Sequence, residues 1–142
     1  MIAGNLALLA TGVFSGAAVY VSVVEHPARM SCGVSIALSQ WRPSYRRATM
    51  MQASLAVIGT ALALLAWKEA GAHAWVYGAL CLGAVIPYTL VIMMPVNRRL
   101  ADDHLDPGRE EAKLLLDRWA RLHAFRSFLG LVAFTFMLTA RL

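Results

Sequence analysis

Apolar residues run almost without interruption through 2–24, return through 50–67 and 74–96, and close the chain at 125–138, with polar and charged residues gathered between them. The first three runs reach or approach the roughly 20 residues that a helix needs to cross a hydrocarbon core. The fourth reaches that length only when extended backwards through an amphipathic stretch, because its uncharged part begins after Arg126. The pattern predicts four helices at about 2–26, 45–68, 74–97 and 107–140, in the order helix, loop, helix, tight turn, helix, loop, helix. Lipid-exposed backbone must satisfy its hydrogen bonds within each helix. The expected fold is therefore all-α, an integral-membrane four-helix bundle occupying residues 1–142 as a single domain.

Local signals sharpen this outline. Asp106 followed by Pro107 reads as an N-cap with proline at the first helical position, and Glu110 and Glu111 suit the positive end of a helix dipole. Leu114, Leu115, Trp119, Leu122 and Phe125 then recur at helical spacing, which starts the fourth helix near Pro107 and leaves Asp102, Asp103 and His104 in a solvated loop. Pro87, inside the third run, predicts a kink or one loosened turn. Gly12 and Gly16 form a small-xxx-small pair suited to close helix approach.

Composition supports the membrane class: 59% of the 142 residues are hydrophobic and 15% charged, far from the balance of a soluble domain. The first run has no positive residues before it and its positive charge follows it, so it reads as a retained helix rather than a secretory signal. Eleven of the thirteen Lys and Arg lie in 29–47 or 98–126. By the positive-inside rule those two loops are cytoplasmic, with both termini and the 68–73 turn outside. The net charge of +5 then reports topology and attraction to anionic membrane lipid, not nucleic-acid binding, for which no motif is present. Cys32 and Cys81 fall at different depths and are not expected to pair.

Drawn in this topology, the polar residues near the apolar runs converge on one end of the bundle. Glu25 and His26 end helix one; Tyr45, Thr49 and Gln52 open helix two; Asn97 closes helix three; Trp119, His123 and Arg126 enter helix four. Ser15, Val19, Ser22 and His26 keep one helical face, and Glu25 points about 100° away. Facing inward, these stripes would line one small pocket roofed by Trp41 and Trp119. Taken singly, the aromatics and Arg126 read equally well as interfacial anchors, and Glu25 as an arginine's partner. As a set they point to a functional site or to an internal hydrogen-bond network that fixes the bundle.

The chemistry available is specific. A neutral histidine, His26 or His123, can act as general base with Glu25 orienting it. Arg126, Asn97 and Gln52 can hydrogen-bond an oxygen on which charge develops. His26, His123 and Glu25 would also suit a transition metal, copper, iron or zinc, although the sequence has no HxxH or ExxH pair.

Four stretches carry a family resemblance: "EHPARM", "QWRPSYRRATMMQASLA", "MMPVNRRL" and "LLLDRWARLHAFRSFLG", in that order and across nearly the whole chain. Together they resemble the anthrone oxygenase-like family of small membrane proteins, long classed as a domain of unknown function. The resemblance implies a four-helix integral membrane fold, and in some members the oxidation of polyketide anthrones to anthraquinones with molecular oxygen. The matching positions are Glu25, His26 and Pro27; Trp41, Tyr45 and Gln52; Pro95 and Asn97; and Trp119, His123 and Arg126.

Three readings follow. In the first, an integral-membrane monooxygenase takes a lipophilic phenolic, anthrone or quinone-like substrate from the bilayer, with Glu25, His26, His123, Arg126 and Asn97 as catalytic residues. Trp41, Tyr45, Gln52 and Trp119 then bind the substrate, and no cofactor is required. The second is a metal-dependent redox protein using His26, His123 and Glu25. The third is a non-catalytic membrane protein that binds a lipid, a quinone or a partner helix. The sequence leaves enzyme activity, substrate and oligomeric state open.

Overall fold

In the computed structural model, which describes residues 2–141, the chain forms four continuous helical rods and, among those residues, no strand. They are α1 (Ile2–Ser31), α2 (Val34–Ala70), α3 (Ala74–Ala101) and α4 (Glu110–Thr139), each long and apolar enough to cross a membrane. Consecutive helices pack on one another and α4 closes against α1, as the hydropathy pattern predicts. Two glycines make the tight connections. Gly33, between α1 and α2, has φ +92°, and Gly71, after α2, has φ +71° with its N–H on the Trp67 carbonyl at 2.7 Å. Side chains rarely adopt that region, so glycine is required there.

Helix bounds differ from the sequence expectation at several ends, α3 for one running on from residue 97 to Ala101. α2 begins at Val34, not near residue 45, so the arginine-rich stretch expected to be loop is helical. At ~1.5 Å per residue its 37 residues reach about 55 Å, well beyond a ~30 Å hydrocarbon core. The projecting part carries its own apolar stripe, with Ala37, Leu38 and Trp41 buried. Pro43 lies inside this helix on its exposed face. α1 continues past residue 26 to Ser31. α4 starts at Glu110, not Pro107, because the Asp106 carboxylate accepts the Gly108 N–H at 2.8 Å and closes a turn of its own instead of capping the helix.

The 102–109 connection is tied to the rods on both sides. Arg42 of α2 donates to the Leu100 and Asp102 carbonyls at 3.1 and 2.6 Å, and Arg99 bridges Asp102 at 2.6 Å and Glu111 of α4 at 2.7 Å. The backbone N–H of His104, and after it Arg99, holds the Asp102 carboxyl below the usual carboxylate range.

Two apolar clusters fill the bundle. One, around Phe14, Trp75, Leu82 and Met137, lies toward the 71–73 turn. The other, around Leu38, Trp41, Leu100, Leu116 and Trp119, lies toward the Gly33 and 102–109 connections.

A matching irregularity marks α1 and α3 where these clusters meet. Val21–Glu25 and Thr89–Met93 are π-helical. In each, the residue before a proline donates its N–H five residues back: His26 to Val21, ahead of Pro27, and Met94 to Thr89, ahead of Pro95. A proline cannot donate and its ring crowds the carbonyl four residues back, so a widened turn relieves the clash. The turn at Thr89–Met93 follows Pro87, which itself stays within regular α-helix.

Gly12 and Gly16 do not make the close approach expected of them. A Cβ at Gly16 would meet nothing within 4 Å, and at Gly12 only the Phe134 ring at 3.2 Å. The tight contacts are at Gly59, Gly78 and Gly130 instead.

Candidate functional site

The two π-turns face a cavity of about 140 Å³ at the junction of the apolar clusters. It has roughly ten times the space that one water requires. Val21 of the first π-turn and Thr89, Leu90 and Met93 of the second line it. Its wall is mostly apolar. Thr49 and Ala53 of α2 and Leu90 of α3 both line the cavity and are exposed, so the cavity reaches the surface between α2 and α3.

Of the residues singled out in the sequence, Trp41, Tyr45, Gln52, Asn97, Trp119, His123 and Arg126 line this cavity. Trp41 stacks on Tyr45 at 4.7 Å and meets Trp119 edge-on at 5.8 Å, giving an aromatic end wall. Trp119 also stacks on His123 at 4.7 Å, as one turn of α4 dictates.

His26 and Glu25 stand apart. His26 is buried with its ring against Trp119 at 5.2 Å, but it is not part of the cavity wall. The Glu25 carboxylate accepts from Arg29 at 2.6 Å, Ser44 at 2.7 Å and Gln40 at 2.8 Å. No hydrogen bond joins it to either imidazole. The expected Glu25–histidine pair is thus not formed, because Arg29, one turn on, is the stronger partner for a carboxylate. His26, His123 and Glu25 therefore do not assemble as a metal-ligand set. Among the described residues no three His, Cys, Asp or Glu side chains come together in that way.

His123 is held by another route. Ser22 Oγ lies 2.9 Å from His123 Nδ1 and 3.0 Å from Ser127 Oγ, while Ser127 Oγ lies 3.0 Å from the Ala18 carbonyl and 2.9 Å from the His123 carbonyl. One arrangement of the hydrogens keeps the Ser127 hydroxyl on a carbonyl and places the imidazole hydrogen on Nδ1. In it the Ser127 hydrogen goes to one of the two carbonyls, which only accept. Ser22 then donates to Ser127, and its oxygen is left to accept from Nδ1–H. Nε2, which no hydrogen bond engages, then carries the lone pair of a neutral imidazole that borders the cavity.

The remaining polar groups are unusual for a buried wall. Asn97 is 1% exposed, yet neither Oδ1 nor Nδ2 has a partner, and Trp41 Nε1, Trp119 Nε1, Arg29 Nε and Arg126 Nε are also unpaired. Arg126 donates through Nη1 to Gln52 Oε1 and lies over the Phe14 ring at 5.0 Å. Buried polar atoms are almost always paired, so these are groups able to hydrogen-bond whatever occupies the cavity.

Arg29, Ser22 and Ser127 were not among the site residues expected from sequence. Arg29 follows a proline at the end of an apolar run and reads as an interfacial anchor. In the fold it is 5% exposed and lines the cavity. The available signal was the Glu25–Arg29 spacing of four, which pairs them on one helical face.

A family model described as anthrone oxygenase matches residues 41–136. The chain is 32% identical over 143 residues to an anthrone oxygenase of Claviceps purpurea (strain 20.1), an alignment covering 89% of this chain and 82% of that protein. No solved structure matches it.

Proposed function

The chain belongs to the anthrone oxygenase family, and from that premise we propose that it is an integral-membrane oxygenase for a lipophilic, phenolic, anthrone-like substrate that enters from the bilayer between α2 and α3. The observation that supports this best is the cavity itself: apolar, laterally open, and lined by the unpaired amide of Asn97 and the free Nε2 side of His123. In this reading His123, rather than His26, is the base. Trp41, Tyr45 and Trp119 take the ring system. Gln52 positions Arg126, and Glu25 serves by fixing Arg29.

The chemistry runs as follows. His123 Nε2 takes a proton from the activated CH2 carbon of the substrate, and the C–H electron pair moves onto the ring carbonyl oxygen as an enolate. Asn97 Nδ2–H and Arg126 hydrogen-bond that oxygen as its charge develops. Dioxygen, the oxidant, accepts the electrons and bonds to the carbon as a hydroperoxide. Loss of water then leaves the second carbonyl, so that CH2 and O2 become C=O and H2O. By the distribution of Lys and Arg, the cavity belongs to the cytoplasmic half of the membrane with both termini outside.

The test uses purified protein in detergent, with an anthrone as substrate, following oxygen uptake and quinone formation. Turnover by the wild type that disappears in His123→Ala is expected. Undiminished turnover in the His26→Ala/His123→Ala double variant sinks the mechanism.

A further inference from the structure

Arg126 is a guanidinium 8% exposed with no carboxylate beside it. Its contacts are the Gln52 carbonyl oxygen and the face of Phe14, which offer partial negative charge only, and its Nε is unpaired. The cavity wall around it contains no Asp or Glu. The other cation of the wall, Arg29, is already matched by Glu25 at 2.6 Å. Removing a charge from water without a counter-charge is strongly unfavourable, and inside a bilayer it is more so. The wall therefore carries one uncompensated positive charge, and the same wall holds the unpaired amide of Asn97 and an aromatic end of Trp41, Tyr45 and Trp119.

We propose that the cavity is a binding site for aromatic oxyanions, a phenolate, enolate or aryl carboxylate whose oxygen is taken by Arg126 and Asn97 while its rings occupy the apolar wall. This deepens the oxygenase reading and rests on the same cavity. It says that the anionic form of the substrate is the form held best, and that a stable aromatic oxyanion occupies the site as an inhibitor. A neutral quinone or hydrocarbon of equal size binds less well, because it leaves the Arg126 charge unmatched.

The experiment compares 2-naphthoate with 2-naphthamide, a neutral molecule of nearly the same shape, by calorimetry on purified protein in detergent at pH 8, with laurate as a non-aromatic carboxylate. Naphthoate is expected to bind about tenfold or more tightly than naphthamide, the margin of a charge-assisted over a neutral hydrogen bond. It is also expected to exceed laurate, and the preference over naphthamide is expected to vanish in Arg126→Gln and persist in Arg126→Lys. The wild-type comparison needs no variant to fold. Equal affinity for naphthoate and naphthamide overturns the proposal, as does laurate binding as tightly as naphthoate. Anion preference without turnover of any anthrone removes the oxygenase reading and leaves this one, whereas turnover without anion preference does the reverse.

Discussion

Ser22 of α1 fixes His123 of α4 through a 2.9 Å contact between Oγ and Nδ1, and it does so from within a π-helical turn. The widened turn ahead of Pro27 places Val21 at the cavity and Ser22 against α4. A proline-induced irregularity thereby becomes the support of the His123 imidazole.

Substituting Ser22 tests that support. Ser22→Ala leaves Nδ1–H only the longer 3.5 Å contact with Ser127 Oγ, so more of the imidazole carries its proton on Nε2, the wrong nitrogen for proton abstraction. A fall in kcat of about tenfold to a hundredfold is expected, a part of the ~10²–10⁴ that a general base supplies. Ser22→Thr keeps the hydroxyl and is expected to recover most of it. The distinguishing measurement is the nitrogen NMR signature of the His123 ring, which should report Nδ1–H in the wild type and a mixture in Ser22→Ala. An unchanged signature with reduced activity would assign Ser22 to packing alone.

The two histidines, equivalent on paper, separate in the fold. His123→Ala is expected to lower kcat by ~10²–10⁴, and because it also loses the stack on Trp119 and the Ser22 contact, to lower stability by about 1–3 kcal/mol. His26→Ala removes a buried ring packed on Trp119. It is expected to lower stability by about 1–3 kcal/mol and kcat by less than about tenfold. Steady-state kinetics and thermal unfolding of both variants in one detergent decide this, and a larger kcat loss in His26→Ala reverses the assignment.

The ends of helices, more than their existence, were hidden in the sequence. Hydropathy exposes whatever lies in lipid, so four spans were legible. It is silent on a helix that continues into water, which is why the segment from Val34 through Ser44 read as loop. Asp106 and Pro107 were ambiguous because an Asx turn and an N-cap use the same carboxylate and the same nearby N–H groups. Seven of the nine expected site residues do line one cavity, because helical spacing and depth are properties of sequence. Glu25 and His26 lie outside that wall because a π-turn changes the angular register, and because the competition of Arg29 with histidine for one carboxylate depends on geometry.

The lateral opening predicts a steric effect on substrate entry. Ala53 is exposed on α2 and also borders the cavity, so a large side chain there faces lipid and disturbs no packed neighbour. Ala53→Trp is expected to raise KM for a three-ring substrate by about tenfold or more, with expression and melting temperature unchanged. A benzene-sized phenol should bind Ala53→Trp and wild type alike, as measured by calorimetry. If the three-ring substrate is unaffected, entry lies elsewhere.

Packing between α3 and α4 supplies the sharpest contrast among the glycines. A Cβ at Gly78 would fall 2.6 Å from Met137 Cγ and 3.0 Å from the Ala133 carbonyl oxygen. The methionine can swing aside, but the carbonyl belongs to the α4 backbone, so the two helices must part. Gly78→Ala is expected to destabilise the bundle by about 1–3 kcal/mol, the usual penalty of overpacking. Gly16→Ala, with nothing within 4 Å of the new methyl, is expected to be neutral or to stabilise by up to ~1 kcal/mol through helix propensity. Unfolding both variants in one mixed detergent series measures the difference. If Gly16→Ala were the more damaging, the α1 face carrying Gly16 would be in contact with another chain, because nothing within this one reaches it.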